Sequence, residues 1–475
     1  MWENVLLCQF HDCLPGSSIE MCYDDSDELY AKVFATGEKL LADAMSALGF
    51  DQNISNGSNL VGLNTFGWAR SEIAVLPSLA NTPRYGLVGG DPGITPVQLL
   101  TSATKSTATI KELKKGVFIL QNSQYKVRVE NGVITSLYDI HAKREYIPEG
   151  GKANQLVIFD DKPLYWQAWD VEVYHLNSRQ ELSASGPSSI VESGPHRVSV
   201  STTTKISEKS WIKTTISLSA VADDSTATPS PITIDAEIEW RETMKFLKVE
   251  FPTRITSASA SYETQFGIVR RPTHYNTSWD MAKFEVCTHK WADLSDATHG
   301  LSILNDCKYG FATAGGLMRL SLLRAPRPQT RTRTWVVIPA NGPCCRTRAR
   351  STTPPVLAHP APDAVKPLLS AFKFRDGSAP GLVLDTVKRG EDDEDVSRRD
   401  GLPVRKGRSV VVRVYDCLGG SARGVLGFGA VDVVAAWRCN LLEDDMEEVG
   451  LREEGGIEVE LRAFEVVSFR FLLAG

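Results

Sequence analysis

The sequence predicts a mainly β protein with an N-terminal helical segment, a large antiparallel β-sandwich and a small terminal β-sandwich. Three observations predict this fold class. In the first 50 residues, apolar side chains recur at three- and four-residue steps, the period of one helix face. From about residue 56, short β-rich runs alternate with turn residues. A last alternating set, at residues 410–415 and 457–471, follows a charged turn at 388–394 and indicates a separate sandwich.

The helical segment is predicted as two helices joined by a turn. Val5, Leu6 and Phe10 belong to the first helix. The second carries a longer apolar series: Leu29, Val33, Leu40, Leu41, Ala44 and Leu48. Pro15 and Gly16 break the chain between them, and Ser17 with Glu20 has the spacing of a capping box that starts the second helix.

The β region is predicted from hairpin and alternation signals. Asn131-Gly132 lies between two β-rich runs, which is typical of a tight hairpin. Residues 232–240 alternate at period two, as expected for a strand with one buried face. These signals divide the chain into a helical part (1–52), a linker with a small β region (53–110), a large β-sandwich (111–370) and a terminal sandwich (371–475).

Composition excludes several classes of function. The 475 residues carry 52 Lys and Arg against 58 Asp and Glu, a net charge of -6, so no basic surface for nucleic acid is predicted. Neither a secretion signal nor an apolar stretch long enough to span a membrane is present in the sequence. The nine cysteines have no paired spacing, which favours a reducing compartment. We therefore expect a protein of the cytoplasm or another reducing compartment, without membrane or nucleic-acid partners.

His11 and Asp12 form the motif with the most chemical content. They are adjacent where a helix breaks into a Pro-Gly turn, so their side chains can leave a rigid element and reach a neighbour. A lone His-Asp pair is more often a surface or helix-capping feature. Residues 9–18 read Gln-Phe-His-Asp-Cys-Leu-Pro-Gly-Ser-Ser, and this longer pattern changes the interpretation.

The segment 9–18 resembles the Gln-Phe-His-Asp-x-x-Pro-Gly-Ser-Ser motif of glycoside hydrolase family 38 α-mannosidases, in the cytosolic and vacuolar subgroup. Residues 162–172, 266–280 and 283–310 resemble family segments in the same order. The resemblance implies the remnant of a three-helix bundle followed by a supersandwich and a terminal sandwich. It also implies that His11 is a ligand of Zn²⁺, with Co²⁺ as the alternative, and that Asp12 is its neighbour in the active site.

A retaining glycosidase needs two carboxyl groups about 5 Å apart. In the family both belong to an amino-terminal α/β domain, which also supplies the other metal ligands. No His-x-Asp pair occurs in this sequence, so we expect the nucleophile and the acid/base to lie outside this chain. The resemblance implies that the complete enzyme is a homo-oligomer acting on α-mannoside oligosaccharides and that the isolated chain is inactive.

The aromatic segments carry further candidate residues. Five aromatic residues could stack on sugar rings: Tyr165, Trp166, Trp169, Trp279 and Trp291. Core and inter-domain packing is the favoured alternative, because β-sandwich cores use large aromatics heavily and spacing shows no sugar-binding pattern. Asp170, Arg271, His274 and Asp280 are polar residues among these aromatics and are possible substrate-facing side chains.

Residues 307–362 contain no Asp or Glu but many Arg. Members of the family resemble one another in having an acidic run at this point. The bases that encode an acidic Asp-Ala repeat, if they are read one base later, encode Thr-Arg-Thr-Arg-Thr-Trp, which is the sequence of residues 330–335. Our hypothesis is that residues 327–366 are out of frame; the alternative is a genuine basic loop. In-frame coverage of the sequenced transcript would end the hypothesis.

Two other readings of the whole chain stay open. One is a non-catalytic carbohydrate-binding or structural β-sandwich protein, and the other is a decayed gene product without a stable fold. The enzyme-part hypothesis predicts an exposed apolar face and aggregation, whereas the binding-protein hypothesis predicts a monodisperse chain that is retained on mannan or a glycan array.

Overall fold

A computed structural model of the chain describes eleven stretches of sequence: residues 1–50, 60–64, 67–76, 84–90, 93–100, 107–221, 231–325, 356–358, 372–396, 404–429 and 431–474. The chain divides into two compact units. The first comprises Met1–Gly49, Thr101–Tyr262 and Arg270–Thr352, and the second comprises Phe50–Leu100, Glu263–Val269 and Thr353–Gly475. Most of the suspected out-of-frame segment, 327–366, lies outside the described residues.

Most of the secondary structure in the described residues consists of strands, and the helices are few. The helices are α1 (Trp2–Cys8), α2 (Glu20–Ala47) and α3 (Ser278–Met281), with one 3-10 helix at Val173–Ser178. The strands before residue 161 are β1 (Leu60–Asn64), β2 (Arg70–Leu76), β3 (Arg84–Gly90), β4 (Gly93–Pro96), β5 (Gln98–Leu99), β6 (Thr109–Lys114), β7 (Val117–Gln121), β8 (Tyr125–Glu130), β9 (Val133–Asp139), β10 (Arg144–Glu145) and β11 (Gln155–Asp160).

The remaining strands complete the two units. Up to residue 324 they are β12 (Gln180–Glu181), β13 (Ser189–Ser193), β14 (Arg197–Lys205), β15 (Trp211–Ser219), β16 (Ile232–Glu239), β17 (Lys245–Pro252), β18 (Ser259–Thr264), β19 (Gly267–Pro272), β20 (Val286–Cys287), β21 (Trp291–Ser295), β22 (Gly300–Leu304), β23 (Gly310–Ala314) and β24 (Leu317–Arg324). After it they are β25 (Val356–Ala358), β26 (Phe372–Phe374), β27 (Leu382–Arg389), β28 (Ser409–Asp416), β29 (Ala422–Phe428), β30 (Val433–Cys439), β31 (Asp445–Val449), β32 (Ile457–Leu461) and β33 (Val466–Leu473).

The first unit is built around a six-stranded sheet of order β12-β11-β17-β24-β23-β20. A five-stranded sheet (β10-β9-β8-β7-β6) and two four-stranded sheets (β13-β14-β15-β16 and β19-β18-β21-β22) accompany it. One face of the six-stranded sheet contributes Leu247, Val249 and Leu320 to a buried cluster that also contains Tyr262 and Leu294. Because side chains alternate along a strand, the opposite face carries the even-numbered residues of β17.

The second unit contains the terminal sandwich. Its two sheets are β26-β29-β32 and β27-β28-β33-β30-β31. One buried cluster takes Leu426 and Ile457 from the first sheet and Val412, Val414 and Phe471 from the second. The remaining strands of this unit form two three-stranded sheets, β25-β1-β4 and β2-β3-β5.

The predicted fold class is confirmed: the two longest helices, α1 and α2, lie at the amino terminus and the pairings between strands are antiparallel. The Asn131-Gly132 hairpin is also confirmed, since both residues have positive φ, of 48° and 88°, between β8 and β9. The predicted capping box is wrong. Helix α2 begins at Glu20 with Ile19 as its N-cap and no side-chain cap, whereas the Ser17 hydroxyl donates to the Asp12 carbonyl, 3.4 Å away.

No helix in the described part of the chain is both long and apolar enough to cross a membrane.

Candidate functional site

His11 and Asp12 lie in the turn between α1 and α2, the helix pair. The His11 side chain is 81% exposed, and its Nε2 atom lies 3.6 Å from Asp12 Oδ2. The Phe10 ring packs beside the imidazole, with 4.8 Å between ring centroids. The imidazole is therefore free to reach a group outside the helix pair.

Backbone hydrogen bonds hold this turn in shape. The amides of Cys13 and Leu14 donate to the Phe10 carbonyl at 2.9 and 3.0 Å, and the Ser17 amide donates to the Asp12 carbonyl at 3.2 Å. Gly16 has a φ of +83°, a conformation that favours glycine, which explains why Pro-Gly ends the turn. The motif residues thus fix the backbone so that His11 and Asp12 point outward together.

The helix pair leaves an apolar surface uncovered. In α1 and α2 only Cys8 and Ser26 are buried. Large apolar side chains on the pair and its turn are mostly exposed: Trp2, Leu6, Leu7, Phe10, Leu14, Met21, Phe34, Leu40 and Leu41. A soluble monomer rarely exposes so many large apolar residues in one segment. The prediction of an exposed apolar face is therefore confirmed.

The described residues do not complete a metal site by themselves. A stable zinc site needs three or four protein ligands. Among the described residues, no group of three or more His, Cys, Asp or Glu side chains is placed to hold one. An exposed imidazole beside a carboxylate suits one or two positions of such a site. A metal held by His11 therefore requires ligands from outside the described residues.

Three further candidates lie in and around α3. His274 and Asp280 come together, with 3.6 Å between Nδ1 and Oδ2. Asp280 also accepts a hydrogen bond from the Thr277 amide at 3.1 Å, while the Thr277 hydroxyl accepts one from the Asp280 amide. Thr277 and Asp280 therefore form a capping box at the start of α3, which sequence reasoning missed. Its signal was the Thr-x-x-Asp spacing. Arg271 donates to the Cys287 carbonyl at 2.9 Å and lies over the Tyr262 ring.

Asp170 ends a turn rich in aromatic residues, residues 164–170, which we call the aromatic turn. Leu164, Tyr165, Trp166 and Trp169 are all exposed. Within the described residues, no hydrogen bond or ion pair joins Asp170, the His274–Asp280 pair and the His11–Asp12 pair to one another. The predicted site residues thus fall into separate groups on this chain.

Sequence reasoning missed a buried charged network on the second face of the six-stranded sheet. Lys248, fully buried, donates to Glu285, and burial lowers the pKa of this lysine. Glu250 accepts from Arg179 and Arg319, each at 2.6 Å. Burial alone raises the pKa of Glu250, but the two guanidinium groups outweigh it and hold this pKa below its usual value. The signal was the alternation of Lys248 and Glu250 with apolar residues in β17.

Near this network His175 is packed among the Phe159, Phe246 and Phe284 rings. Burial lowers the pKa of His175 to about 4, and its Nδ1 atom lies 2.7 Å from the Glu172 carbonyl. The ring is therefore neutral at physiological pH and contributes packing together with one hydrogen bond.

Three family models match the chain. "Alpha mannosidase middle domain" matches residues 1–48, "Glycosyl hydrolases family 38 C-terminal domain" matches 120–330, and "Glycosyl hydrolases family 38 C-terminal beta sandwich domain" matches 381–469. The first match contains the turn with His11, and the third contains most of the terminal sandwich.

Curated relatives and solved structures agree with these matches. The chain is 38% identical over 501 residues to "Alpha-mannosidase" of Saccharomyces cerevisiae, covering 99% of this chain and 43% of that protein. It is 36% identical to human "Alpha-mannosidase 2C1", covering 100% of this chain and 45% of that protein. An α-mannosidase structure from Enterococcus faecalis shares the fold, with a TM-score of 0.67 and 13% identity over 99% of this chain and 62% of that one.

The chain thus spans less than half the length of these two curated relatives. Along the chain, the three matches follow one another in the order middle domain, C-terminal domain and C-terminal beta sandwich domain. We conclude that the chain belongs to glycoside hydrolase family 38 and corresponds to the carboxy-terminal part of its members.

Proposed function

We propose that this chain is the carboxy-terminal part of a metal-dependent, retaining α-mannosidase that removes terminal α-mannose residues from oligosaccharides. The observation that carries the proposal is the rigid turn of the middle-domain match, which presents His11 and Asp12 on an open surface. The names of the yeast and human relatives supply the substrate class.

In this proposal His11 is one ligand of a zinc or cobalt ion, and Asp12 lies beside it in the active site. When bound, such an ion polarises substrate oxygens and helps to orient the sugar. In this proposal His11 keeps one ring nitrogen accessible to the ion at a fixed position, and the backbone hydrogen bonds of the turn hold the residue there. The remaining ligands and the two catalytic carboxylates come from residues outside this chain.

The exposed apolar face of the helix pair supports the same proposal. An isolated helix pair of this size is marginal in water unless its apolar side chains are packed against a partner. We propose that the amino-terminal part of the enzyme covers this face and brings its own ligands to His11. The isolated chain is then inactive, and self-association and a cytoplasmic or vacuolar location remain predictions for the complete enzyme.

The test is a fusion of this chain to the amino-terminal part of the yeast α-mannosidase that it does not match. We expect the fusion to hydrolyse an aryl α-mannoside and to contain bound zinc or cobalt, and the isolated chain to do neither. His11→Ala should lower activity by more than the roughly 10- to 100-fold that losing a second-shell partner costs. It should also lower the metal content measured by mass spectrometry.

The matched control is His141→Ala, which removes an exposed histidine from a surface turn of the large sandwich. This variant should keep both activity and metal. Undiminished activity and metal content in the His11→Ala fusion would reject the proposed role of His11.

A further inference from the structure

The aromatic turn combines exposure with rigidity, which is unusual for large side chains. Trp166 and Trp169 are 52% and 59% exposed, and their rings stack at 15° with 5.6 Å between centroids. Tyr165 and Leu164 beside them are more exposed still. These side chains therefore do not pack in the core of the described part of the chain, which leaves stacking on a sugar or packing against another domain.

One arginine fixes the shape of this turn. Arg324 donates to the backbone carbonyls of Gln167, Ala168 and Asp170. It also forms a two-point ion pair with the buried Asp161 carboxylate, through Nε at 2.6 Å and Nη2 at 3.1 Å. Such a planar fork holds three peptide groups in one arrangement.

The backbone of the turn is strained at Trp166. Its φ of +53° is uncommon for a residue with a large side chain. The amides of Trp169 and Asp170 donate to the Trp166 carbonyl at 2.7 and 2.9 Å, so the turn closes on this residue. Strain of this kind persists where the surrounding structure imposes it, and it is often found at binding sites.

The chemistry of the turn suits a neutral sugar. The two indoles are stacked on each other, so they leave an outer ring face to a ligand and do not build the cage that encloses an organic cation. The Asp170 carboxylate, which has no hydrogen-bond or ion-pair partner among the described residues, disfavours an anion and can accept sugar hydroxyl hydrogens. A pyranose offers an apolar face to an indole and hydroxyls to a carboxylate.

We propose that the aromatic turn is a stacking site for a pyranose unit of an α-mannoside chain, with Trp166 and Trp169 as the platform and Asp170 as a hydroxyl acceptor. The proposal rests on the proposed function for its sugar class. Because Arg324 holds the turn before a ligand arrives, little ordering is needed on binding.

The experiment is calorimetric titration of the complete 475-residue chain with α-mannobiose. We expect measurable binding that Trp166→Ala and Trp169→Ala each weaken by about tenfold, the value of one good aromatic contact. Trp169→Phe should keep most of the affinity because a ring remains. The matched control, Trp68→Ala, removes a tryptophan that is 52% exposed, as Trp166 is, in the second compact unit and should bind like the unmodified chain.

Absence of binding by the unmodified chain overturns the proposal, as does equal weakening by Trp68→Ala. Stronger binding of tetramethylammonium than of mannobiose, or self-association that Trp169→Ala abolishes without an effect on sugar, assigns the turn another partner and also overturns it. The yeast fusion separates the two proposals. If it hydrolyses an aryl α-mannoside but the tryptophan variants leave mannobiose binding unchanged, only the stacking site fails.

Discussion

Glu250 shows how much a single buried residue can organise in this protein. It lies on β17 with its side chain almost fully buried, and Arg179 and Arg319 approach it from two sides. The strand pairing places Arg319 opposite Glu250, so the sheet register itself brings acid and base together. A buried charge of this kind is tolerated because both partners are present.

We predict that Glu250→Ala lowers the free energy of unfolding by about 3 to 5 kcal/mol, because it leaves guanidinium groups without their carboxylate in a buried setting. The control is Glu208→Ala, whose partner Lys205 is at the surface and which should cost at most about 1 kcal/mol. Urea denaturation of the two variants measures the difference. Equal losses would mean that burial of Glu250 has no energetic consequence.

The residues that sequence reasoning identified and those that it missed differ in a physical way. His11 belongs to a motif written in ten consecutive residues, so it is visible without a structure. The network of Lys248, Glu250 and Glu285 depends on which strands pair, and pairing partners are far apart in the chain. Charges on an alternating strand normally indicate a solvated face, and here that face is buried.

At the scale of elements, turns decide the register of the hairpins. The strand at 232–240 and the Asn131-Gly132 hairpin were predictable because their signals are local. The capping box predicted for α2 does not form, because the chain follows the Pro-Gly turn and directs the Ser17 hydroxyl back to Asp12. Spacing alone does not show which of two nearby carbonyls or amides a hydroxyl will meet.

Gly132→Ala should destabilise the large sandwich by roughly 1 to 2 kcal/mol from its positive φ alone. The cost should be larger than that, since the added methyl group would lie 2.9 Å from the Thr202 methyl carbon. Gly150→Ala is the control, because Gly150 has a φ of +73° with open space around it and tests the backbone effect alone. The thermal unfolding temperature of Gly132→Ala should be lower than that of Gly150→Ala. The reverse order would contradict a clash between the added methyl group and Thr202.

Glu465 gives the turn between β32 and β33 a dependence on pH. The Arg462 amide donates to its carboxylate, and with the Arg462 and Arg438 guanidinium groups it lowers the pKa of Glu465 from 4.5 to about 2. Because the folded-state pKa is depressed, the stabilisation is complete above pH 4.5 and is lost as pH falls towards 2. Glu465→Gln should therefore reduce stability at pH 7 and approach the unmodified chain in acid, as measured by urea midpoints. A constant difference across this range would exclude the linkage.

At the scale of the whole molecule, the chain has two kinds of surface. The sandwiches close over their own cores, as Leu247 and Val412 illustrate by being fully buried. The helix pair does not bury its own apolar side chains, and most of the large ones are exposed to solvent. Sequence periodicity predicted where these side chains lie along the helices, but whether they are covered depends on partners that periodicity does not encode.

This contrast predicts how the isolated chain behaves in solution. Sedimentation velocity should show concentration-dependent association driven by the helix pair, because exposed apolar surface of this extent is removed from water by self-contact. Replacing Leu7, Phe34 and Leu41 together by Glu should restore a monomer without changing the thermal unfolding of the sandwiches. In the yeast fusion the same triple variant should abolish mannosidase activity, because the face that must be covered then carries charge.

The control is Leu442→Glu, which adds charge at a leucine of the terminal sandwich that is more exposed than the three replaced residues. It should leave both association and fusion activity unchanged, because Leu442 is not part of the helix pair. A monomeric unmodified chain, or an active triple-variant fusion, would show that this face needs no partner and would remove the main physical support for an enzyme assembled across it.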